Sequence, residues 1–283
     1  IFQNNLMGAA AAAAAGGGGD FYTYQIANSC RFNNADVSYM YRTQAAGNRK
    51  TFTTSTWFKS ATASSVNACP IFYAGTQAHG TQHTGLVMNT TTIGDLRVYH
   101  YTGGFDYSVR TSSLYRDYSA WYHVVYMQDT TQSTDSDRLK IYINGEQVTA
   151  LAEANYPAED FEGAFNNNSI VTYIGNATGS ASFDGYMAET IMIDGTALGP
   201  DSFGETKNGV WIPSDPSGLT FGTNGYWLNY AASGDMGNDV SGNNNDFTLS
   251  NISAHDQMLD SPTFDSTANG GNFATLNAVT NGT

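Results

Sequence analysis

The segment 139–148, LKIYINGEQV, constrains the fold of this chain more than any other part of its sequence. Two strand-like runs flank Asn144 and Gly145, and Asn-Gly is the dipeptide that a tight type I′ turn between antiparallel strands favours. The run before the turn alternates apolar and polar residues, which is the period of a strand buried on one face. The sequence therefore predicts a β-hairpin here, and the fold must contain an antiparallel sheet.

Other parts of the chain repeat this pattern of short strands separated by turn residues. Only 13% of the residues are charged, and the polarity comes from Asn, Thr, Ser and Gly, which favour turns and strands over helices. The one helical turn that we predict is at 199–203, where Pro200 would be the first helical residue. The fold class is therefore an all-β, antiparallel two-sheet sandwich, with further strands predicted at 51–59, 71–74, 86–89, 96–101, 121–128, 171–174 and 186–193.

Charge and composition exclude several classes of partner. The chain has 11 Lys and Arg against 25 Asp and Glu, a formal net charge of −14. Such a surface repels phosphate backbones, so nucleic acid is not expected as a partner. No apolar segment is long enough for a membrane span, so membrane insertion is not expected either. Cys30 and Cys69 are too few for a disulfide framework, which leaves two separate thiols or one bridge.

Residues 1–20 form a low-complexity arm that differs from the rest of the chain. Seven consecutive alanines are followed by Gly16 and three more glycines. Alanine favours helix, but seven are too few for a helix that is stable alone, and the glycines form a flexible joint. One interpretation is a disordered tail. The other, which we favour, is an assembly arm that packs against a neighbouring subunit through small residues such as Ala9, Ala12, Ala15 and Gly16.

A set of short motifs occurs in a fixed order along residues 21–206. They are SCRF at 29–32, FTTSTWF at 52–58, WYHVV at 121–125, LKIYINGEQV at 139–148, YIG at 173–175 and FDGYMAE at 183–189. The ordered set resembles the concanavalin A-like lectin/glucanase superfamily, in its laminin G and pentraxin-like branch. The resemblance implies a jelly-roll over 21–206, and we expect its packing to include Trp57, Trp121, Tyr122, Ile141, Ile143 and Ile174.

A second set of motifs resembles a narrower group, the jelly-roll proteins of tailed bacteriophages, especially marine ones. The motifs are GNRKT at 47–51, IDGTAL at 193–198, DSFGE at 201–205, GVWIP at 209–213, GTNGY at 222–226, DVSGN at 239–243 and NFATLN at 272–277. This resemblance implies a structural protein on the virion surface. Residues 207–283 lie beyond the jelly-roll. They are either the start of a second domain or a β extension packed back on the first, and we favour the extension because about 75 residues are few for a sandwich of ordinary size.

A search for catalytic residues gives no constellation that would support an enzyme. A glucanase of this fold needs paired carboxylates on one strand, in a Glu-x-Asp-x-x-Glu pattern, which does not occur. The nearest cluster, Glu159, Asp160 and Glu162, follows a proline and is interpreted as a solvated acidic loop. His79 and His83 have the spacing of a helical metal site, but their surroundings are typical of a loop tip. We therefore predict that the protein is not an enzyme.

Two binding sites remain as hypotheses. Asp235, Asp239 and Asn243 lie in a Gly-rich loop, together with Asn238 and Asp246. Calcium accepts such oxygen ligands, and it is the one cofactor that we consider, although Asx-turns explain the same composition. The aromatic residues around Gly103 and Gly104 would suit a carbohydrate-binding loop, or equally interior packing and subunit contacts. They are Tyr99, Tyr101, Phe105 and Tyr107.

Taken together, the sequence predicts a non-enzymatic structural or surface protein of a bacteriophage virion, a fibre, tail or capsid-decorating subunit. Its expected partners are other copies of itself and other virion proteins. The alternative is a carbohydrate-binding module that recognises host or environmental glycans, which rests on the fold alone.

Overall fold

The computed structural model describes residues 21–61, 68–75, 82–176, 182–265 and 270–271. These residues contain no α-helix, only four 3₁₀ turns at Asp135–Asp137, Pro200–Ser202, Pro216–Gly218 and Ala254–Asp256. The strands are β1 (Ser29–Phe32), β2 (Tyr39–Thr43), β3 (Thr51–Ser60), β4 (Cys69–Gly75), β5 (His83–Met88), β6 (Leu96–Tyr101), β7 (Phe105–Thr111), β8 (Tyr122–Asp129), β9 (Leu139–Ile143), β10 (Glu146–Gln147), β11 (Leu151–Asn155), β12 (Val171–Ile174), β13 (Gly185–Asp194), β14 (Gly204–Lys207), β15 (Val210–Pro213), β16 (Tyr226–Leu228), β17 (Thr248–Ser250), β18 (Gln257–Met258), β19 (Phe264–Asp265) and β20 (Gly270–Gly271).

Two antiparallel sheets form a jelly-roll sandwich, as the sequence predicts. Sheet A has the order β10-β9-β8-β3-β13-β1-β18, and β16 also pairs with β13. Sheet B has the order β11-β7-β6-β5-β4-β12-β2-β17. Two short ribbons, β14-β15 and β19-β20, complete the strand pairing. Each sheet combines strands that are consecutive in the chain, β8 to β10 in sheet A and β4 to β7 in sheet B, with neighbours that are far apart in sequence, such as β3 with β13 and β2 with β12. Neither sheet is therefore a simple meander.

The main hydrophobic core lies between the sheets. It is formed by alternate residues of the strands, because successive side chains of a strand point to opposite faces. Sheet A contributes Phe52, Phe58 and Val124, and sheet B contributes Phe72 and Leu86, all with no exposed surface. The expected packing of Ile141, Ile143 and Ile174 in this core is confirmed, and Tyr122 packs against its edge.

Trp57 and Trp121 are buried as expected, but they lie outside the core between the sheets. Both are buried on the outer face of sheet A, in a separate cluster with Ile26 and Ala188. The neighbour of Trp57, Phe58, is the residue that points inward. Successive side chains of β3 therefore point to opposite faces, as predicted. The outward-pointing Trp57 is covered by later parts of the chain, including Trp211.

The hairpin at 139–148 forms as predicted. β9 pairs with β10, and the turn residues Asn144 and Gly145 have φ angles of 48° and 82°. Both positive values are what a type I′ turn requires. A Cβ on Gly145 would lie 2.4 Å from ring atoms of Trp211, so this position needs glycine for space as well as for backbone geometry.

The described part of the extension joins both sheets. β16 pairs with β13 and β18 pairs with β1 in sheet A, while β17 pairs with β2 in sheet B. The predicted helical turn is present as a 3₁₀ turn with Pro200 in its first position. Cys30 lies in β1 and Cys69 in β4, in different sheets, and both are thiols. Searching the described ranges for a helix that could cross a membrane finds none.

Candidate functional site

An open pocket of about 320 Å³ lies on the outer face of sheet B, over β5, β6 and β7. The strand β6 positions it, because its alternate residues Arg97, Tyr99 and Tyr101 are half-buried while the residues between them are buried in the core. Phe105, at the start of β7, is the most exposed ring of the group, with 47% of its surface accessible. The lining residues are Ala68, His83, Val87, Thr90, Arg97, Tyr99, Tyr101 and Phe105.

The rings of the pocket contact one another edge to face. The centroid of Phe105 lies 5.5 Å from that of Tyr99 and 5.5 Å from that of Tyr101. The imidazole of His83 stacks on Tyr101 at 5.2 Å and contacts Tyr99 at 5.5 Å. Burial raises the pKa of Tyr99 to about 12, so its hydroxyl is a neutral hydrogen-bonding group at physiological pH. The structure thus brings together three of the four aromatic residues that the sequence singled out.

Tyr107 does not belong to this group, which corrects the sequence-based assignment. Its side chain has no exposed surface and lies in the main core, with its hydroxyl bonded to Gln128 Oε1 at 3.2 Å. The cause is a β-bulge in β7. Tyr101 is opposite Phe105, but the next pair is His100 with Tyr107, so one extra residue is inserted between the two rings. A bulge of this kind moves the following residue to the other face of the strand.

A charged row crosses the sheet beside these rings. Arg97, Arg110 and Glu153 are directly opposite one another on β6, β7 and β11. Glu153 Oε2 accepts hydrogen bonds from Arg97 NH2 at 2.7 Å and from Arg110 Nε at 3.4 Å. The guanidinium of Arg97 also lies over the ring of Phe105, 5.0 Å from its centroid. Our sequence interpretation missed Arg97, although its period-two spacing from Tyr99 and Tyr101 was the available signal.

The carboxylate of Asp239 accepts hydrogen bonds from its own loop and from β16, which argues against the calcium hypothesis. Oδ1 accepts from the backbone N–H groups of Trp227 and Ser241, both at 2.9 Å. Oδ2 accepts from the backbone N–H of Asn245 at 2.9 Å and from the Ser241 hydroxyl at 2.8 Å. These contacts are the Asx-turn pattern that was the alternative explanation, and they leave the carboxylate little capacity for a metal ion.

The other two predicted ligands do not complete a calcium site. Asn243 uses its side-chain amide to donate to the carbonyl oxygens of Gly222 and Gly225, at 2.7 and 2.9 Å. Asp235 is exposed. Across the part of the chain that the structure describes, no three His, Cys, Asp or Glu side chains are close enough to hold a metal ion together. Calcium at Asp235, Asp239 and Asn243 therefore stays a prediction, and the described hydrogen bonds favour the alternative of Asx-turns.

The acidic loop has the character that the sequence indicates. Glu159, Asp160 and Glu162 each pair with a different basic residue, Arg138, Lys50 and Arg49, at 3.5, 3.0 and 2.9 Å. The three carboxylates therefore do not converge on a common point. His79 lies outside the described residues, and His83 belongs to the aromatic pocket rather than to a metal site.

The carboxyl of Glu189 is buried in the outer layer of sheet A. The sequence analysis includes this residue in the FDGYMAE motif but assigns it no role. It accepts hydrogen bonds from the Tyr24 hydroxyl at 3.0 Å and from the Trp227 indole N–H at 2.5 Å. Burial raises its pKa to about 7. A second buried group, His123, contacts Ser55 and Trp211 through its ring nitrogens, and burial lowers its pKa to about 3. Neither group lines the pocket on sheet B.

The proposed assembly residues Ala9, Ala12, Ala15 and Gly16 lie outside the described residues. A second depression, of about 400 Å³, lies beside β1 and the 3₁₀ turn at Ala254–Asp256. It is lined by Arg31, Asp36, Asn251, Ser253, His255 and Asp256, which include no large apolar ring. The pocket on sheet B is therefore the one of these two depressions that combines apolar faces with polar groups.

A known protein family matches most of the jelly-roll part of the chain. Residues 34–202, more than half of the chain, match the family described as the concanavalin A-like lectin/glucanases superfamily. No curated protein sequence gives a significant match.

Several solved structures are similar to this chain at low sequence identity. The heptameric SAP-like pentraxin from Limulus polyphemus is 15% identical, with a TM-score of 0.44 over 62% of this chain and 80% of that one. Domain 4 of an extracellular arabinanase from Geobacillus stearothermophilus, solved with arabinotriose, is 18% identical, with a TM-score of 0.45 over 61% and 73%. The mouse laminin α1 domains LG4-5 are 14% identical, with a TM-score of 0.42 over 64% of this chain and 46% of that one.

Proposed function

This chain belongs to the concanavalin A-like lectin/glucanases superfamily, and on that premise we propose that it binds carbohydrate on the outer face of sheet B. The observation that carries the proposal is the pocket in which Tyr99, Tyr101 and Phe105 present ring faces and edges beside polar side chains. Ligand sites in proteins generally combine an apolar, aromatic lining with a few polar groups that fix orientation.

The chemistry of the pocket suits a sugar ring. One face of a pyranose carries C–H groups, which pack on aromatic rings, while its hydroxyls need hydrogen-bonding partners. Phe105 offers the exposed apolar surface, and the tyrosine hydroxyls with Thr90 and His83 are the hydrogen-bonding groups of the lining. Because the pocket is open rather than enclosed, we expect it to accept one part of a larger glycan.

We propose binding without hydrolysis. A glycosidase of the usual kind needs two carboxyl groups facing the same glycosidic bond. Among the described residues that line the pocket, none is Asp or Glu. Glu153, an acid close to the pocket, is engaged by two arginines, and Glu189 is bonded to Tyr24 and Trp227 on the other sheet.

The test is a change of Phe105→Ala, with glycan binding followed by affinity gel electrophoresis across immobilised polysaccharides. The ring is 47% exposed, so the variant should fold, and we expect at least about a tenfold loss of affinity, the size that loss of an aromatic anchor causes. Tyr118→Ala is the matched control, because this tyrosine is also exposed, at 36%, on the separate loop after β7. Equal binding by the Phe105 and Tyr118 variants would overturn the proposed site.

The bacteriophage setting stays a prediction of the sequence motifs. It includes the location on the virion surface and the contacts with copies of this chain and with other virion proteins. The carbohydrate-binding role is the better supported of the two, because a described pocket carries it. A virion protein that binds host glycans would combine both.

A further inference from the structure

Resting on the proposed carbohydrate site, we infer that the pocket selects uncharged sugars over acidic ones, and that Glu153 sets this selectivity by neutralising Arg97. Neutral glycans are the expected class of ligand, and Glu153 determines specificity although it does not itself line the pocket. Arg97, Arg110 and Glu153 form a row across β6, β7 and β11.

Arg97 is the cationic side chain of the pocket lining that would attract an acidic sugar. Guanidinium groups bind carboxylates in a planar, charge-assisted geometry, so an uncompensated arginine here would favour uronates or sulfated sugars. The guanidinium already lies on Phe105, and only 13% of the side chain is exposed. Its charge therefore acts at the ring on which a sugar would pack.

Glu153 compensates this charge through a short contact. Its Oε2 is 2.7 Å from Arg97 NH2 and 3.4 Å from Arg110 Nε, so one carboxylate bridges two arginines. Like charges directly opposite one another on neighbouring strands destabilise a sheet, and the carboxylate removes this repulsion. A sugar carboxylate would have to compete with Glu153 for the same guanidinium.

The wider surroundings strengthen the bias against anions. Asp95 lies 3.6 Å from Arg110. Arg97 and Arg110 thus face two carboxylates, those of Asp95 and Glu153, and their charge is balanced. The whole chain carries a formal charge of −14, which repels polyanions at a distance, although salt screens this beyond about 8 Å. Both the local and the overall charge favour uncharged ligands.

The experiment compares neutral polysaccharides (starch, dextran, galactomannan) with uronate polymers (polygalacturonate, alginate) for the unchanged protein and for Glu153→Gln. We expect the unchanged protein to bind at least one neutral polymer, and to bind uronate polymers with a measurable but lower affinity. Glu153→Gln should gain about threefold to fivefold in uronate affinity, the range of a partly exposed ion pair, and lose this gain in high salt. Circular dichroism and thermal unfolding check that the variant folds.

Glu146→Gln is the control, because it removes the same charge from an exposed position on the edge strand of sheet A. Uronate binding by the unchanged protein equal to its neutral binding would overturn the selectivity and leave the carbohydrate site intact. No gain in Glu153→Gln, or an equal gain in Glu146→Gln, would overturn the role of Glu153. Failure to bind any glycan would instead overturn the proposed function, and the inference with it.

Discussion

Trp227 donates a hydrogen bond from its indole nitrogen to Oε2 of Glu189, and so ties the extension to the centre of sheet A. Glu189 sits at a β-bulge of β13, with a φ angle of 49° that residues other than glycine rarely adopt. Tyr24, from the segment before β1, donates to the other carboxyl oxygen. One carboxyl therefore joins the first described segment, a central strand and the extension.

Replacing Glu189 should remove a pH dependence of stability. Its pKa is about 7 in the folded protein against an ordinary value of 4.5, because burial penalises the charged form and Asp215 adds to this. The folded state thus binds the proton more tightly than the unfolded chain. Stability from this group is complete below pH about 4.5 and is lost as the pH rises through about 7, by on the order of 3 kcal/mol.

Urea unfolding of the unchanged protein and of Glu189→Gln, at several pH values between 4 and 8.5, measures this effect. Glutamine resembles the protonated carboxyl. The unfolding free energy of Glu189→Gln should therefore vary much less over this pH range, and at pH 8 it should exceed that of the unchanged protein. Glu146→Gln, an exposed glutamate, should leave the pH profile unchanged. The same slope in all three proteins would show that Glu189 does not carry the dependence.

Calcium should have no effect on the loop that contains Asp239. Its carboxylate accepts four hydrogen bonds, three from the loop and one from Trp227 in β16, so Asp239→Asn should destabilise the protein by about 1–3 kcal/mol with or without calcium. The melting temperatures of the unchanged protein and of Asp239→Asn, each measured in calcium and in EDTA, test both predictions. A melting temperature that rises with calcium, and no longer does so in Asp239→Asn, would restore the calcium hypothesis.

Tyr107→Phe should affect stability but not glycan binding. The change removes a buried hydroxyl that bonds to Gln128 and contacts Tyr126, at a cost of about 1 kcal/mol. Tyr101→Phe is the matched comparison, because it removes a hydroxyl from the pocket itself. For Tyr101→Phe we expect weaker glycan binding with little loss of stability. The reverse assignment of the two effects would contradict the placement of Tyr107 in the core.

The two tyrosines also show where sequence reasoning reaches its limit. Alternation places Arg97, Tyr99 and Tyr101 on one face of β6, and this is predictable from a period of two. The same rule fails between Phe105 and Tyr107, because a one-residue bulge inverts the alternation. Bulges depend on the partner strands rather than on a local residue pattern, so the sequence could indicate the pocket but not its fourth member.

Other features of the fold also divide into those that local sequence determines and those that depend on distant segments. Asn144 and Gly145 fix the hairpin locally, and the sheet strands with strong alternation were predicted within a few residues. Trp57 is different, because the strand pattern does not say which face of a sheet will be covered by later segments. Glu189 is beyond prediction for a similar reason, since its two partners lie 165 and 38 residues away in the chain.

Deleting residues 1–20 tests the predicted assembly arm. The contacts that tie down the segment after it, Tyr24 with Glu189 and Ile26 with Thr263, remain in the truncated chain. We therefore expect the same melting temperature as the full chain, but loss of oligomers in analytical ultracentrifugation. Oligomers of unchanged size after the deletion would show that the arm has no assembly role.

NMR can follow glycan binding over β5, β6 and β7 ring by ring. A fragment of a polysaccharide that the protein binds is titrated into protein with ¹³C-labelled aromatic rings. We expect the resonances of Tyr99, Tyr101 and Phe105 to shift in proportion to the bound fraction. Those of Tyr107 in the core and Tyr118 on the loop should stay in place. Saturable binding that leaves the rings of Tyr99, Tyr101 and Phe105 unshifted, with shifts elsewhere, would contradict the proposed site.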